Sequence, residues 1–370
     1  MFGLCLSDPH PDRAGDGSPF RTLSAARFAG RYRLVDFVLS NMVNSRIYSI
    51  GMVLNSHYQS LIEHIGMGKD WDLARKSGGV RFFPPYLADE RKTVNSEIDG
   101  PLQRAAEYIA EAKEEYIILV DSSIVYNIDY RLVVAAHKIY GADVTAIYTK
   151  KKVNPGERES TIVFNILESG RLDDVGIGQY TTENQNVSLG AYVLHKKFFI
   201  QLTAGEKNCG MQRFSRTLIA NAVDRLRIMG YEFKGYSAHI NSVETFFNCN
   251  MEMLETEYRK SLFDFEGRRI FTNRRDSLPV RYGKNAQIKN SLIADGCNID
   301  GTVENSIICR NVKIGTGAVV KNCILQDDTV VEQSASVDCI ITDRFVTVSE
   351  NRGMMGSRSY PVYIDRSRVI

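Results

Sequence analysis

The apolar positions of this chain follow two different rhythms. Up to about residue 242, short apolar runs alternate with stretches whose apolar residues recur at three- and four-residue spacing. Phe2–Leu6, Ile50–Leu54, Tyr116–Val120, Asp143–Tyr148 and Thr161–Ile166 read as strands. Leu34–Asn44, Tyr58–Ile65, Gln103–Lys113 and Phe214–Met229 read as helices. Alternating strands and helices predict an α/β domain, a Rossmann-like and mostly parallel mixed sheet covered by helices. Ligands of such a sheet bind beyond the carboxyl ends of its strands, so the segment after Leu6 is the place for a phosphate loop. A last helix over Val243–Phe263 carries the chain out of this domain.

From about Val280 to Val348 the rhythm changes. Asn290-Ser-Leu-Ile293, Asn305-Ser-Ile-Ile308, Asn322-Cys-Ile-Leu325 and Asp338-Cys-Ile-Ile341 repeat one small pattern, beginning 15, 17 and 16 residues apart. Apolar residues recur every five or six positions, separated by Gly, Asn and Asp. That spacing suits neither an α-helix nor an alternating hairpin strand. It suits a parallel β-helix, three short strands per coil with an inward aliphatic residue on each side. An antiparallel sandwich is the weaker alternative, because its turns have no reason to repeat at this period. Three regions result: an α/β domain over 1–242, a linking helix and connector over 243–279, and a β-helix with a C-terminal tail over 280–370.

Composition narrows the functions. Hydrophobic and charged contents of 44% and 24% are those of a globular protein. The net charge is only +2, and no Lys/Arg run is dense enough for a nucleic-acid arm. No apolar run approaches the roughly 18 residues of a membrane span, and Met1–Asp8 has no basic start of a signal peptide. Seven scattered cysteines without a CxxC pair suggest reduced thiols and a cytoplasmic home. Acyltransferases with β-helices use a histidine between coils as general base. All six histidines here (10, 57, 64, 137, 195, 239) precede the repeat, so the coils read as a packing and assembly module. His57 and His64 flank a helix and suit capping or packing, and Trp71 suits a core or interface anchor.

Several segments carry a family resemblance. Phe28-Ala-Gly-Arg-Tyr-Arg-Leu-Val-Asp-Phe-Val-Leu-Ser-Asn41, followed by Asn44-Ser-Arg-Ile47, resembles the FGGKYRIIDFxLSN…NS motif of ADP-glucose pyrophosphorylases (glucose-1-phosphate adenylyltransferases). Glu63–Leu73, Gly78–Tyr86, Ser188–Val193, Asn250–Met253 and the coil segment Tyr282–Cys297 are similar to further segments of that family. The resemblance covers nearly the whole chain. It implies a nucleotidyltransferase domain followed by a left-handed β-helix, and a reaction joining ATP and glucose 1-phosphate into ADP-glucose with loss of pyrophosphate.

That chemistry has three requirements. ATP phosphates need a glycine-rich loop, Mg²⁺ needs carboxylates, and a sugar phosphate needs cationic and hydrogen-bonding partners. Where the family has GGxGxRL, this chain has Ser7-Asp-Pro-His-Pro-Asp-Arg-Ala-Gly-Asp-Gly17. Two prolines remove N–H donors there, and Asp8 and Asp12 would repel a triphosphate. Ser123 stands on the family's first metal aspartate, with Asp121 a possible remnant two residues earlier. His239 stands on the second, and imidazole is a poor ligand for a hard cation. No lysine lies in Gln179–Gln185 where the family's sugar-phosphate lysine belongs, and Glu97-Ile98 replaces its Gly-Thr pair.

The remaining candidates are weak. Gly30, Asp36, Asn41 and Ser56 are substrate-side positions by resemblance, with Asp36 and Asn41 better suited to organising the fold. Arg31, Arg33, Arg274 and Arg275 are candidates for a phosphorylated effector near the domain junction, and a solvated basic face fits them equally well. The expectation is an impaired regulatory subunit that binds no metal or other cofactor, with Mg²⁺ held by a catalytic partner in a heterotetramer. A sugar-phosphate or nucleotide effector is a further expected partner. The rival readings are an active adenylyltransferase using Asp121 and a stand-alone sugar-phosphate sensor.

Overall fold

The computed structural model describes residues 1–6, 22–54, 57–85, 100–153, 161–178, 183–204, 206, 211–274 and 276–370. The α/β domain contains Phe2–Leu6 (β1), the short pair Arg27–Phe28 (β2) and Tyr32–Arg33 (β3), Ser49–Val53 (β4), Gly79–Phe83 (β5), Tyr116–Asp121 (β6) and Ile124–Tyr126 (β7). Val144–Lys151 (β8), Ile162–Ile166 (β9), Leu172–Ile177 (β10), Gln185–His195 (β11), Ile228–Glu232 (β12) and Ser237–His239 (β13) complete its strands. Its helices include Leu34–Asn44 (α1), Gln59–Ile65 (α2), Pro101–Glu111 (α3), Tyr130–Tyr140 (α4) and Lys196–Thr203 (α5), with a single turn at Met211–Arg213 (α6).

Nine strands form one mixed sheet, ordered β10-β9-β11-β6-β1-β4-β5 with β8 and β12 attached beside β11. Strands β6, β1, β4 and β5 are parallel, whereas β11 runs antiparallel to β6, β8 and β9. Strand β1 is apolar on both faces, Phe2, Leu4 and Leu6 entering one buried cluster and Cys5 the other, as a central strand covered on both faces requires. Beyond the crest of the sheet, β7 pairs with β13 as a separate two-stranded ribbon.

Two helical expectations fail. Over 214–229 the structure has a π-helical turn at Phe214–Ile219 and a 3₁₀ turn at Ala220–Ala222. The chain then becomes β12, paired in parallel with β8. Local apolar spacing yields there to strand pairing that burial rewards. The linking helix divides into Val243–Glu252 (α7) and Thr256–Phe263 (α8). Ser242 opens α7 through a capping box with Thr245. Arg259 Nη1 donates to the carbonyls of Met253 (2.9 Å) and Leu254 (3.3 Å), which the interruption exposes.

The β-helix contains three parallel five-stranded sheets, one per side of the coil. Its last strands, Gly353–Met355 and Val362–Ile364, extend it past Val348. Asn290, Asn305 and Asn322 take left-handed corners, a conformation asparagine tolerates. In the fourth repeat that corner falls on Cys339 rather than Asp338, because Ile324 pairs with Ile341, one residue beyond the motif spacing. Ile299, Val303, Ile308, Val320, Leu325 and Val337 fill the coil interior. Ile307, Ile324 and Ile341 instead enter a cluster with Phe28, Phe37, Phe247, Met253 and Leu262, which fastens the two domains together.

Candidate functional site

The crest of the sheet lies where β1 and β6 end side by side, Leu6 opposite Asp121. Asp121 Oδ1 accepts a 2.7 Å hydrogen bond from the Ser123 amide. Ser122 Oγ lies 2.5 Å from Ser24 Oγ. The chain enters β7, and the Ile240 amide donates to the Ser123 carbonyl at 3.0 Å while His239 pairs with Ile124. Ser123, just before β7, and His239, within β13, therefore lie on neighbouring segments, one residue out of register with each other.

Asp121 is 4% exposed, and burial pushes its carboxyl up to about 6 against the lowering effect of the Ser123 amide bond. Cys5, beneath it on β1, is pushed up to about 12, first by burial and then by the Asp121 charge. Gly190, at a bulge in β11, was not singled out from the sequence. Its φ is +56°, and a Cβ there would stand 2.6 Å from the Asp121 Cβ. A glycine inside an otherwise apolar strand is the sequence signal for such a close approach.

These side chains do not fit a magnesium ion. Ser123 offers a hydroxyl and His239 an imidazole, while Asp121 is a single buried carboxyl with one oxygen already bonded. Magnesium prefers an octahedral set of oxygens rich in ionised carboxylate. Among the described residues, no group of three or more His, Cys, Asp and Glu side chains could hold a metal. Ser7–Gly17, Ser56, Glu97-Ile98, Arg275 and much of Gln179–Gln185 lie outside the described residues.

Asp36, Asn41, Gly30 and Arg33 lie in the scaffold near the domain junction, where their observed contacts are with other parts of the fold. Asp36 is fully buried, accepting from the Arg33 amide at 2.9 Å and lying 2.6 Å from His64 Nε2. Burial lowers the His64 pKa more than Asp36 raises it. Asn41 donates to the Tyr126 carbonyl at 2.9 Å and accepts from the Ile128 amide at 3.2 Å, joining α1 to the chain after β7. Gly30, at φ +80°, backs onto the β-helix, where a Cβ would stand 3.5 Å from Ile307 Cγ2. Arg33 is buried, its Nη1 donating to the Ser60 carbonyl (2.7 Å) and hydroxyl (3.1 Å), so it is no exposed effector contact. Arg31 and Arg274 are exposed. Trp71 is buried with its ring edge toward His64, and His57 is exposed at φ +57°.

Arg27 was not singled out, yet it forms a charged contact across the junction. It pairs with Asp327 of the β-helix, both side chains being almost completely buried. The Arg310 amide also donates to Asp327, at 3.2 Å.

A mixed sheet with its open crest, followed by a hexapeptide coil, defines a nucleotidyltransferase architecture. The "Nucleotidyl transferase" family matches residues 22–236, and "GlmU-like, C-terminal hexapeptide" matches residues 279–357, which makes the β-helix left-handed. The chain belongs to the nucleotidyl transferase family, in the group of glucose-1-phosphate adenylyltransferases and GlgD proteins linked to glycogen biosynthesis. It is 31% identical over 370 residues to "Glycogen biosynthesis protein GlgD" of Bacillus subtilis (strain 168), covering 100% of this chain and 96% of that one. It is 29% identical over 320 residues to the glucose-1-phosphate adenylyltransferase of Clostridium perfringens (strain 13 / Type A), covering 83% and 78%. The same enzyme of Clostridium botulinum (strain Eklund 17B / Type B) is 30% identical over 309 residues, covering 81% and 78%. Among the described residues, no helix is long and apolar enough to cross a membrane.

Proposed function

We propose that this chain is a regulatory subunit in cytoplasmic glycogen biosynthesis, without adenylyltransferase activity of its own. It assembles with a catalytic glucose-1-phosphate adenylyltransferase as a heterotetramer, and the partner holds ATP, glucose 1-phosphate and Mg²⁺. The observation that carries this reading is the placing of Ser123 and His239 on neighbouring segments beside the end of β6, where among the described residues no group of three or more His, Cys, Asp and Glu side chains could hold a metal. A subunit of this kind acts by linkage. If it packs better against the active conformation of its partner, it shifts that population and couples it to a sugar-phosphate or nucleotide effector without doing chemistry.

The test is pyrophosphate release from ATP and glucose 1-phosphate, measured for the purified chain alone and mixed with the catalytic subunit. The expected result is no turnover alone, co-elution with the partner, and a changed rate or effector response in the mixture. Turnover by the isolated chain matching the partner's would favour the active-enzyme reading, for which the position of Asp121 at the end of β6 is the supporting observation. No co-elution and no kinetic change would leave the stand-alone sensor.

A further inference from the structure

A groove of about 430 Å³ runs between the end of α7 and one corner of the β-helix. That volume lies within the roughly 300–1,000 Å³ of small-molecule sites. Its coil wall is a column of three asparagines, Asn290, Asn305 and Asn322, one per coil. Glu252, Glu255 and Arg358 face them across the groove.

The column is the informative part. Asn290 Nδ2 donates to Asn305 Oδ1 at 2.9 Å, and Asn322 Nδ2 donates to Asp338 Oδ1 at 2.8 Å. Among the described residues, the run of side-chain bonds breaks between Asn305 and Asn322. The Nδ2 donor of Asn305 and the Oδ1 acceptor of Asn322 thus stand on neighbouring coils, about 4.8 Å apart along the stack. A donor and an acceptor side by side match two adjacent hydroxyl groups, since each hydroxyl can donate and accept. Two glutamates against one arginine leave the groove short of positive charge, which disfavours a phosphate or carboxylate ligand.

We propose that this groove binds a neutral saccharide, a glucosyl unit or the end of a short glucan. Asn305 and Asn322 grip adjacent hydroxyls, Glu255 accepts from another, and Arg358 donates to a ring or hydroxyl oxygen. The site is separate from the sheet crest and does not depend on whether the chain is catalytic.

The test is saturation-transfer NMR and calorimetry with glucose, maltose, maltotriose and glucose 1-phosphate on the full chain. The expected dissociation constant for maltotriose is on the order of 1 mM, the level a few hydrogen bonds support against the cost of association. Asn305→Asp keeps an oxygen for Asn290 to bond, replaces the Nδ2 donor by an acceptor and adds a negative charge. Arg358→Ala changes an exposed side chain remote from the core. Each should weaken binding about fivefold or more while leaving the melting temperature unchanged. Three outcomes would overturn the proposal: no saccharide binding to the wild-type chain, binding unchanged in both variants, or a preference for glucose 1-phosphate over the neutral sugars.

Discussion

The domain junction and the sheet crest each bury an aspartate, and the two are treated in opposite ways. At the junction Asp327 meets the Arg27 guanidinium and the Arg310 amide, so its charge is matched inside the fold. At the crest Asp121 accepts from the Ser123 amide, and burial raises its pKa to about 6. The junction matches a buried charge with its opposite, whereas at the crest burial works against the charge of Asp121. The difference teaches where this architecture keeps its polar commitments, which is between the domains rather than over the sheet.

Removing one charge at each place should therefore have opposite signs. Asp327→Asn leaves Arg27 buried without its counter-ion, and the expected loss of stability is about 3–5 kcal/mol. Thermal or denaturant unfolding of the variant would read it. The double variant Arg27→Met/Asp327→Leu should recover most of that loss, because neither charge then remains to be desolvated. A mild loss in the single variant would mean that water reaches Arg27 once Asp327 is gone.

Asp121→Asn is the counterpart, and it should stabilise. A carboxyl with a folded pKa of about 6 against an ordinary 3.8 binds its proton more tightly when folded. That contribution is fully present below about pH 4 and is lost as pH rises through 6. At pH 7.5 the variant should gain on the order of 1–3 kcal/mol, and the gain should vanish near pH 4. A strong destabilisation at pH 7.5 would reverse the contrast drawn here. Loss of activity in the isolated chain on this substitution would make Asp121 functional.

The smallest expected effect is on activity. Restoring aspartate at both Ser123 and His239 should leave the isolated chain without measurable pyrophosphate release, because in Ser7–Gly17 two prolines remove N–H donors and Gly15 and Gly17 are not adjacent. Recovery of turnover would show that only the metal ligands were missing.

How much of this was legible differed between the domains for a physical reason. Coil strands bond only to neighbouring coils, so a local repeat announces the β-helix, although the Cys339 corner shows that inward packing sets the register. In the α/β domain, β1 and α1 matched their apolar patterns, whereas Ile228–Glu232 became a strand because β8 offered it a partner. At the crest, Ser123 and His239 lie on neighbouring segments, but nothing local to Asp121 announces its burial. Arg27 and Arg33 look like surface charge in the sequence, and only folding shows them paired and buried.

The sequence by itself determined the two-part architecture, through its two periodicities, while the family came from the resemblance of Phe28–Asn41 and further segments to known motifs. Tertiary structure alone decided what the shared motif from Phe28 to Asn41 does here. Its polar atoms bond across elements distant in the chain, Asn41 to Tyr126, Asp36 to His64 and the Ala29 amide to Asn250. Burial removes water as a competing partner, so such groups must find one another in space, and spacing along the chain does not record which they find.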